Sequence, residues 1–157
     1  MSMQYSLEAP FTLEGASVWA ANIIFAPALD TIPAHSHGSG CYEIHFVPAG
    51  RGSLQAGGRS YAVEPDALFV TGPHVTHAQV PDADVPMQEY CVYLRLAHGG
   101  KVLPPVLKAF CGTPFWFGWD DGEVRAIFQQ IFREFAQKRT GYAVQVQLLL
   151  SQLIVKL

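Results

Sequence analysis

Hydrophobic positions change their period once along this chain, near Leu96. Before it, β-favouring side chains come in short runs separated by glycine- and proline-rich turns. Phe11–Leu13 and Ser17–Ala26 flank a turn at Glu14-Gly15, and Cys41–Val47 alternates so that Glu43, His45 and Val47 share one face. Gly52–Ala56, Arg59–Val63, Ala67–Thr71, His77–Val80 and Glu89–Leu96 come next. They are punctuated by Ala49-Gly50-Arg51-Gly52, Ala56-Gly57-Gly58-Arg59 and Pro65-Asp66. Short strands at such even spacing predict a mainly β domain, a sandwich or a barrel. Closure would also remove the exposed edges that so many short strands create.

After Leu96 the period lengthens. Ala97–Thr113 reads as a connector with Pro104 and Pro105, and Val106–Phe110 as a short helical turn. The aromatic patch Phe115–Trp119 suits core packing between the barrel and the helices. Asp120 or Asp121 is a good N-cap. Beyond it Val124, Ile127, Phe128, Ile131, Phe132 and Phe135 recur on one helical face, which Gly141 is expected to end. A second helix starts near Tyr142, with Val146, Leu149, Leu150, Leu153, Ile154 and Leu157 in one stripe. Val144, Leu148 and Val155 add apolar surface on another side, more than a single partner surface would cover. No glycine or proline stops this helix before Leu157, so the sequence is expected to continue into a further domain. The division predicted is one domain over 1–157: a barrel at 1–97, a connector at 98–119 and a helical segment at 120–157 that presents a dimerisation face.

Composition narrows the classes. Of 157 residues 50% are hydrophobic and 15% charged, the balance of a packed globular body rather than a disordered chain. The net charge is −3 and the 10 Lys and Arg are scattered, so the electrostatic footprint of a nucleic-acid binder is missing from this piece. Cys41, Cys91 and Cys111 are far apart and odd in number, which suits free thiols in a reducing compartment. Met1–Pro10 lacks the features of a secretory signal. The longest apolar passage, Ala16–Leu29, is interrupted by Asn22 and Pro27 and is too short to span a bilayer. A soluble, cytoplasmic protein without a membrane partner is expected.

Chemistry concentrates between Pro33 and Leu96. His35, His37, Glu43 and His77 are of the types that ligate one divalent Zn, Ni, Fe or Mn. Two residues apart on a strand, His35 and His37 would point the same way. The same residues also suit a partly wet polar pocket in which Glu43 accepts hydrogen bonds from a histidine or a backbone N–H. Both readings stay open at this point. His45 reads as a satisfied lumen residue rather than a fifth ligand, His74 and His98 as solvated loop residues, and Arg95 as solvent-facing. No Ser-His-Asp or Cys-His arrangement is legible and Cys41 reads as a packed side chain, so no catalytic residue is assigned.

From His35 to Gly50 the pattern H-x-H-x5-E-x6-G resembles the first cupin motif, and Ala67 through Gly72-Pro73-His74-Val75-Thr76-His77 resembles the second. H-S-H, Y-E-I-H-F-V-P-A-G-R-G-S-L, Y-x-V-x-P-D-A-L-F-V and G-P-H-V-T-H together are similar to the N-terminal domain of AraC/XylS-type transcription regulators, over about residues 32–97. The trailing helices resemble that family's linker and dimerisation helices more loosely. The sequence departs from the pattern at Asp66-Ala67, at Gly72-Pro73-His74 and at Pro81. The resemblance implies a cupin jelly-roll barrel that binds a small-molecule effector, with His35, His37, Glu43, His45 and His77 at the pocket. It implies a homodimer through 120–157, and DNA contact only through a C-terminal helix-turn-helix region outside this chain. A small metal-dependent cupin enzyme, a dioxygenase or isomerase, is the alternative.

Overall fold

A computed structural model of the chain describes residues 1–97 and 102–157. His98, expected in a loop, lies outside the described residues, as does part of the expected connector. Two antiparallel sheets face each other. The larger is built from β1 (Met3–Tyr5), β2 (Phe11–Leu13), β3 (Ala16–Ala26), β5 (Cys41–Ala49), β8 (Ala67–Thr71), β10 (Gln88–Ala97) and β11 (Phe115–Trp119). Its order is β1-β3-β10-β5-β8-β11, with β2 on the flank of β3. The smaller holds β4 (Ile32–His35), β9 (His77–Pro81), β6 (Gly52–Ala56) and β7 (Arg59–Val63), in the order β4-β9-β6-β7. Three helices, α1 (Pro105–Gly112), α2 (Glu123–Gln137) and α3 (Tyr142–Lys156), complete the described structure. None is long and apolar enough to cross a membrane.

The two-residue period of the strands sorts side chains into two cores. On β5, Tyr42, Ile44 and Phe46 join Leu68, Val70, Val92 and Leu94 in a large cluster with the helices. The next residue, Val47, belongs to the lumen cluster with Leu54, Val63, Phe69 and Met87. The predicted stripe of α2 is buried in full, from Val124 to Phe135, and α3 buries Val146, Leu149, Leu150, Leu153 and Ile154 beside it. Gly50 makes the tight exit from β5: at φ +81°, a Cβ there would lie 2.1 Å from the Pro86 carbonyl oxygen.

Four expectations change. No strand run was assigned between Ala26 and Cys41, yet Ile32–His35 forms an edge strand, where the missing N–H of Pro33 is tolerated. Phe115–Trp119 is not a connector but strand β11, pairing with β8 from Phe115↔Thr71 to Trp119↔Ala67. Its alternation sends Phe115 and Phe117 to the lumen core and Trp116 to the helical one. Val106–Phe110 extends into a full helix, so three helices come after the last strand of the barrel proper rather than two. Finally, α2 stops at Gln137 with left-handed Lys138, and Gly141 instead begins α3. At the other end of α2 the N-cap position falls on left-handed Gly122, but Asp120 still does the capping: its carboxylate accepts from the Val124 and Arg125 N–H groups, each at 2.9 Å.

Candidate functional site

Strand register assembles the site. In the smaller sheet His35 on β4 lies directly opposite His77 on β9. In the larger, Glu43 on β5 sits between Tyr93 and Thr71, and His45 between Cys91 and Phe69. The inward faces of the two sheets therefore bring a histidine pair over a carboxylate. His37 does not share the strand of His35, since β4 ends at His35. It reaches the cluster from the adjoining loop, its ring 5.1 Å from that of His35 and 5.0 Å from that of Tyr93.

One donor atom from each of His35, His37, Glu43 and His77 lies within 4.8 Å of the others. The hydrogen bonds around them set the tautomers. His35 Nδ1 is 2.9 Å from the Pro33 carbonyl oxygen and His77 Nδ1 is 3.0 Å from that of Val75. A carbonyl only accepts, so both Nδ1 atoms carry the proton and donate it, and each Nε2 is left as a lone pair unless the ring is protonated. Yet His77 Nε2 lies 3.1 Å from Glu43 Oε2, and His37 Nε2 lies 2.9 Å from the same oxygen without an aligned hydrogen bond. Two lone pairs at that distance repel unless a proton or a metal ion lies between them. Backbone carbonyls that hold Nδ1–H and direct Nε2 inward are also the usual outer support of a metal-binding histidine. The donor set fits a borderline divalent ion.

His45 sits one layer deeper, 3% exposed and stacked on Phe69 with ring centroids 4.5 Å apart. Its Nε2 is 3.5 Å from Glu43 and from Thr71 Oγ1, and its Nδ1 is 3.2 Å from Glu89 Oε2. Burial disfavours charge on this ring, but Cys91, Glu89 and Glu43 outweigh it and hold its pKa well above the ordinary value. Burial pushes the Cys91 thiol up to about 12, so near neutrality the carboxylates carry that effect. Burial alone would raise the Glu43 carboxyl; the His45 and His77 rings, with the charge of His45 and His37, hold it far below the usual range. Glu43, His45 and Cys91 also form a second group of potential ligand atoms.

A cavity of about 310 Å³ runs from Ser2 inward to His35, Glu43, His45, Gln79, Glu89 and Cys91. Of the residues expected at the pocket, His35, Glu43 and His45 line it. His77 lines a different hollow, beside Gln55 and Arg59, and His37 faces Tyr93. His74 is exposed with its Nε2 3.2 Å from Ser39 Oγ, and Arg95 is exposed over Trp19 and Tyr93. Gln79 and Glu89 escaped the sequence reading. For Glu89 the signal was present, because it precedes Cys91 and Tyr93 on the inward alternation of β10.

A family model described as the AraC-like ligand binding domain matches residues 25–154. Among solved structures, YhaK from Escherichia coli is similar with a TM-score of 0.52 at 12% identity, over 77% of this chain and 52% of that one. This chain thus spans about half the length of YhaK. A cupin protein from Bacteroides fragilis is similar at 22% identity with a TM-score of 0.41, over 59% of this chain and 73% of that one. The likeness to YhaK speaks to the fold alone. A search of curated proteins finds no match.

Proposed function

The chain belongs to the AraC-like ligand-binding domain family, and from that premise we propose that it is the effector-sensing and dimerisation part of a cytoplasmic transcription regulator. A small molecule enters the barrel, and a C-terminal helix-turn-helix region outside this chain reads DNA. The observation that carries the reading is the lumen cavity, which touches both the inward histidines and the N-terminal segment at Ser2. Three residues on, Tyr5 stacks on Phe135 of α2 with centroids 4.5 Å apart and meets Phe132 edge-on. A ligand that favours one lie of residues 2–5 thereby favours one seating of α2 and α3, a shift of population rather than a new structure. On α3, Val144, Leu148 and Val155 stand 57%, 59% and 58% exposed along one side, a stripe for a second copy of the chain.

A thermal-shift screen of sugars, aromatic acids and amines tests the sensing role. A binder raises the melting temperature by mass action. No response from any class would count against an effector domain.

The enzyme alternative draws support from the convergence of His35, His37, Glu43 and His77. These four would hold one divalent Zn, Ni, Fe or Mn, and the bound ion would supply Lewis-acid or oxygen chemistry. Metal analysis of purified protein separates the readings in two steps. One equivalent per chain, lost on His77→Ala, supports a metal site; only turnover of a substrate would make the protein a dioxygenase or isomerase.

A further inference from the structure

We propose that the effector is a small organic amine, bound as its ammonium ion by Glu89 with its apolar body against Ile24, Leu29 and Ile32. This rests on the reading of the lumen cavity as the effector pocket, and goes on to name the chemistry of what enters.

Two buried acceptors on the cavity wall lack an aligned hydrogen bond, and the nearest base, His45 Nδ1, stands 3.2 Å from one of them, Glu89 Oε2. Glu89 Oε2 is on a residue only 5% exposed and Gln79 Oε1 on one 1% exposed, and neither has a hydrogen bond. Native proteins leave few such groups unmet, and a buried carboxylate oxygen is among the costliest to leave so. What completes the wall must bring N–H or O–H donors.

Charge selects between them. The lining carries Asp30, Glu43 and Glu89 but no lysine or arginine; its bases are His35 and His45. Even a protonated His45 balances only one of the two carboxylates that flank it, at 3.5 Å and 3.2 Å. A divalent ion on the four-residue cluster would take up Glu43 and still leave Glu89 and Asp30 to the ligand. An anion would be desolvated against carboxylates, with His45 already shared between Glu43 and Glu89. An ammonium group instead supplies both the donors and the sign, and charge-assisted hydrogen bonds are the strong ones. Ile24, Ala26, Leu29 and Ile32 supply the apolar part of the wall, with exposed Asp30 and Ser2 at the mouth.

Titration calorimetry on the full chain near neutral pH tests this with two sets sharing one skeleton each: phenethylamine, phenethyl alcohol and phenylacetate; butylamine, butanol and butyrate. The amine of a set should bind about tenfold or more tighter than its alcohol, with the acid weakest, the difference expected of one charged hydrogen bond. Glu89→Gln should bring amine and alcohol within about twofold of each other, because the isosteric amide keeps the shape and loses the charge. An alcohol or acid that binds best overturns the amine class while leaving the effector reading standing. An amine preference that survives Glu89→Gln overturns the role of Glu89. Absence of binding by all six overturns the proposal, and the broader screen of sugars and aromatic acids then decides the effector reading separately. Should Glu89→Gln fail to fold, the order of the three ligands on the unaltered chain still decides.

Discussion

The two faces of the larger sheet are built to opposite standards. Its outer face is apolar and closed by rings: Phe46 and Tyr90 meet Phe128 with centroids 6.1 Å and 5.2 Å away, and Phe25 lies 4.4 Å from Tyr90. Arg125 fastens this face, its guanidinium over the Phe46 ring and hydrogen-bonded to Asp66 and the Pro48 carbonyl. The inner face of the same strands carries Glu43, His45, Glu89 and Cys91. The buried side-chain polar atoms left without a hydrogen bond among the described residues belong to His37, His45, Gln79 and Glu89, and the last three line the lumen cavity. One face is finished by the chain itself. The other keeps buried polar atoms without a hydrogen bond.

The sharpest way to break this contrast is to remove a ring from the outer face. Phe128 is fully buried. Phe128→Ala should cost about 3–5 kcal/mol, the transfer and cavity terms together. Urea unfolding followed by circular dichroism would read it, and a cost below about 1 kcal/mol would mean that the helices are not what holds the sheet. Binding in the lumen should change little in the fraction that stays folded.

The inner face should respond to ligands instead. If the four-residue cluster takes a divalent ion, Zn or Ni at a hundred times its dissociation constant should raise stability by about 2.7 kcal/mol. A chelator should reverse the gain, and His77→Ala should abolish it. The same ion should stabilise the Phe128→Ala variant by the same increment, because the two sites do not share contacts. No gain in the unaltered chain would mean that the cluster is a hydrogen-bonded polar pocket and not a metal site.

A smaller effect belongs to the cap of α2. Asp120→Ala removes the acceptor of two backbone N–H groups and should cost about 1 kcal/mol. It stands on the outer side, so metal stoichiometry measured alongside should be unchanged. A loss of metal here would show that the faces are coupled more tightly than their separate cores suggest.

The contrast between faces was partly legible in the sequence. Alternation on Cys41–Val47 placed Glu43 and His45 together, and the stripe of α2 was readable because both patterns are local. What was hidden depended on distant pairing. The partner of Phe115–Trp119 is β8, some 45 residues earlier by the register Phe115↔Thr71, and a run of four aromatics around Gly118 shows no polar alternation to betray a strand. Met3–Tyr5 pairs with Ile23–Phe25 at the sheet edge, and nothing in its own composition announces it. His37 was expected to keep strand periodicity but reaches the cluster from a loop, whose path no period describes. Gly122 and Gly141 both hold helix starts in left-handed backbone, so a glycine alone could not tell a helix end from a beginning.

The helices also have two faces, and the outward one of α3 gives the mildest test. Leu148 is 59% exposed and takes no part in the helical core. Leu148→Glu should therefore shift the monomer's stability by no more than about 0.5 kcal/mol. If Val144, Leu148 and Val155 form the seam between two copies, the same substitution places two carboxylates in an apolar contact and should leave only monomer in light scattering at concentrations where the unaltered chain is a dimer. A dimer that persists would move the interface elsewhere on the molecule. A large loss of monomer stability would instead mean that Leu148 is a buried part of the outer face, and the boundary between self-sufficient core and partner-seeking surface would have to be redrawn on α3.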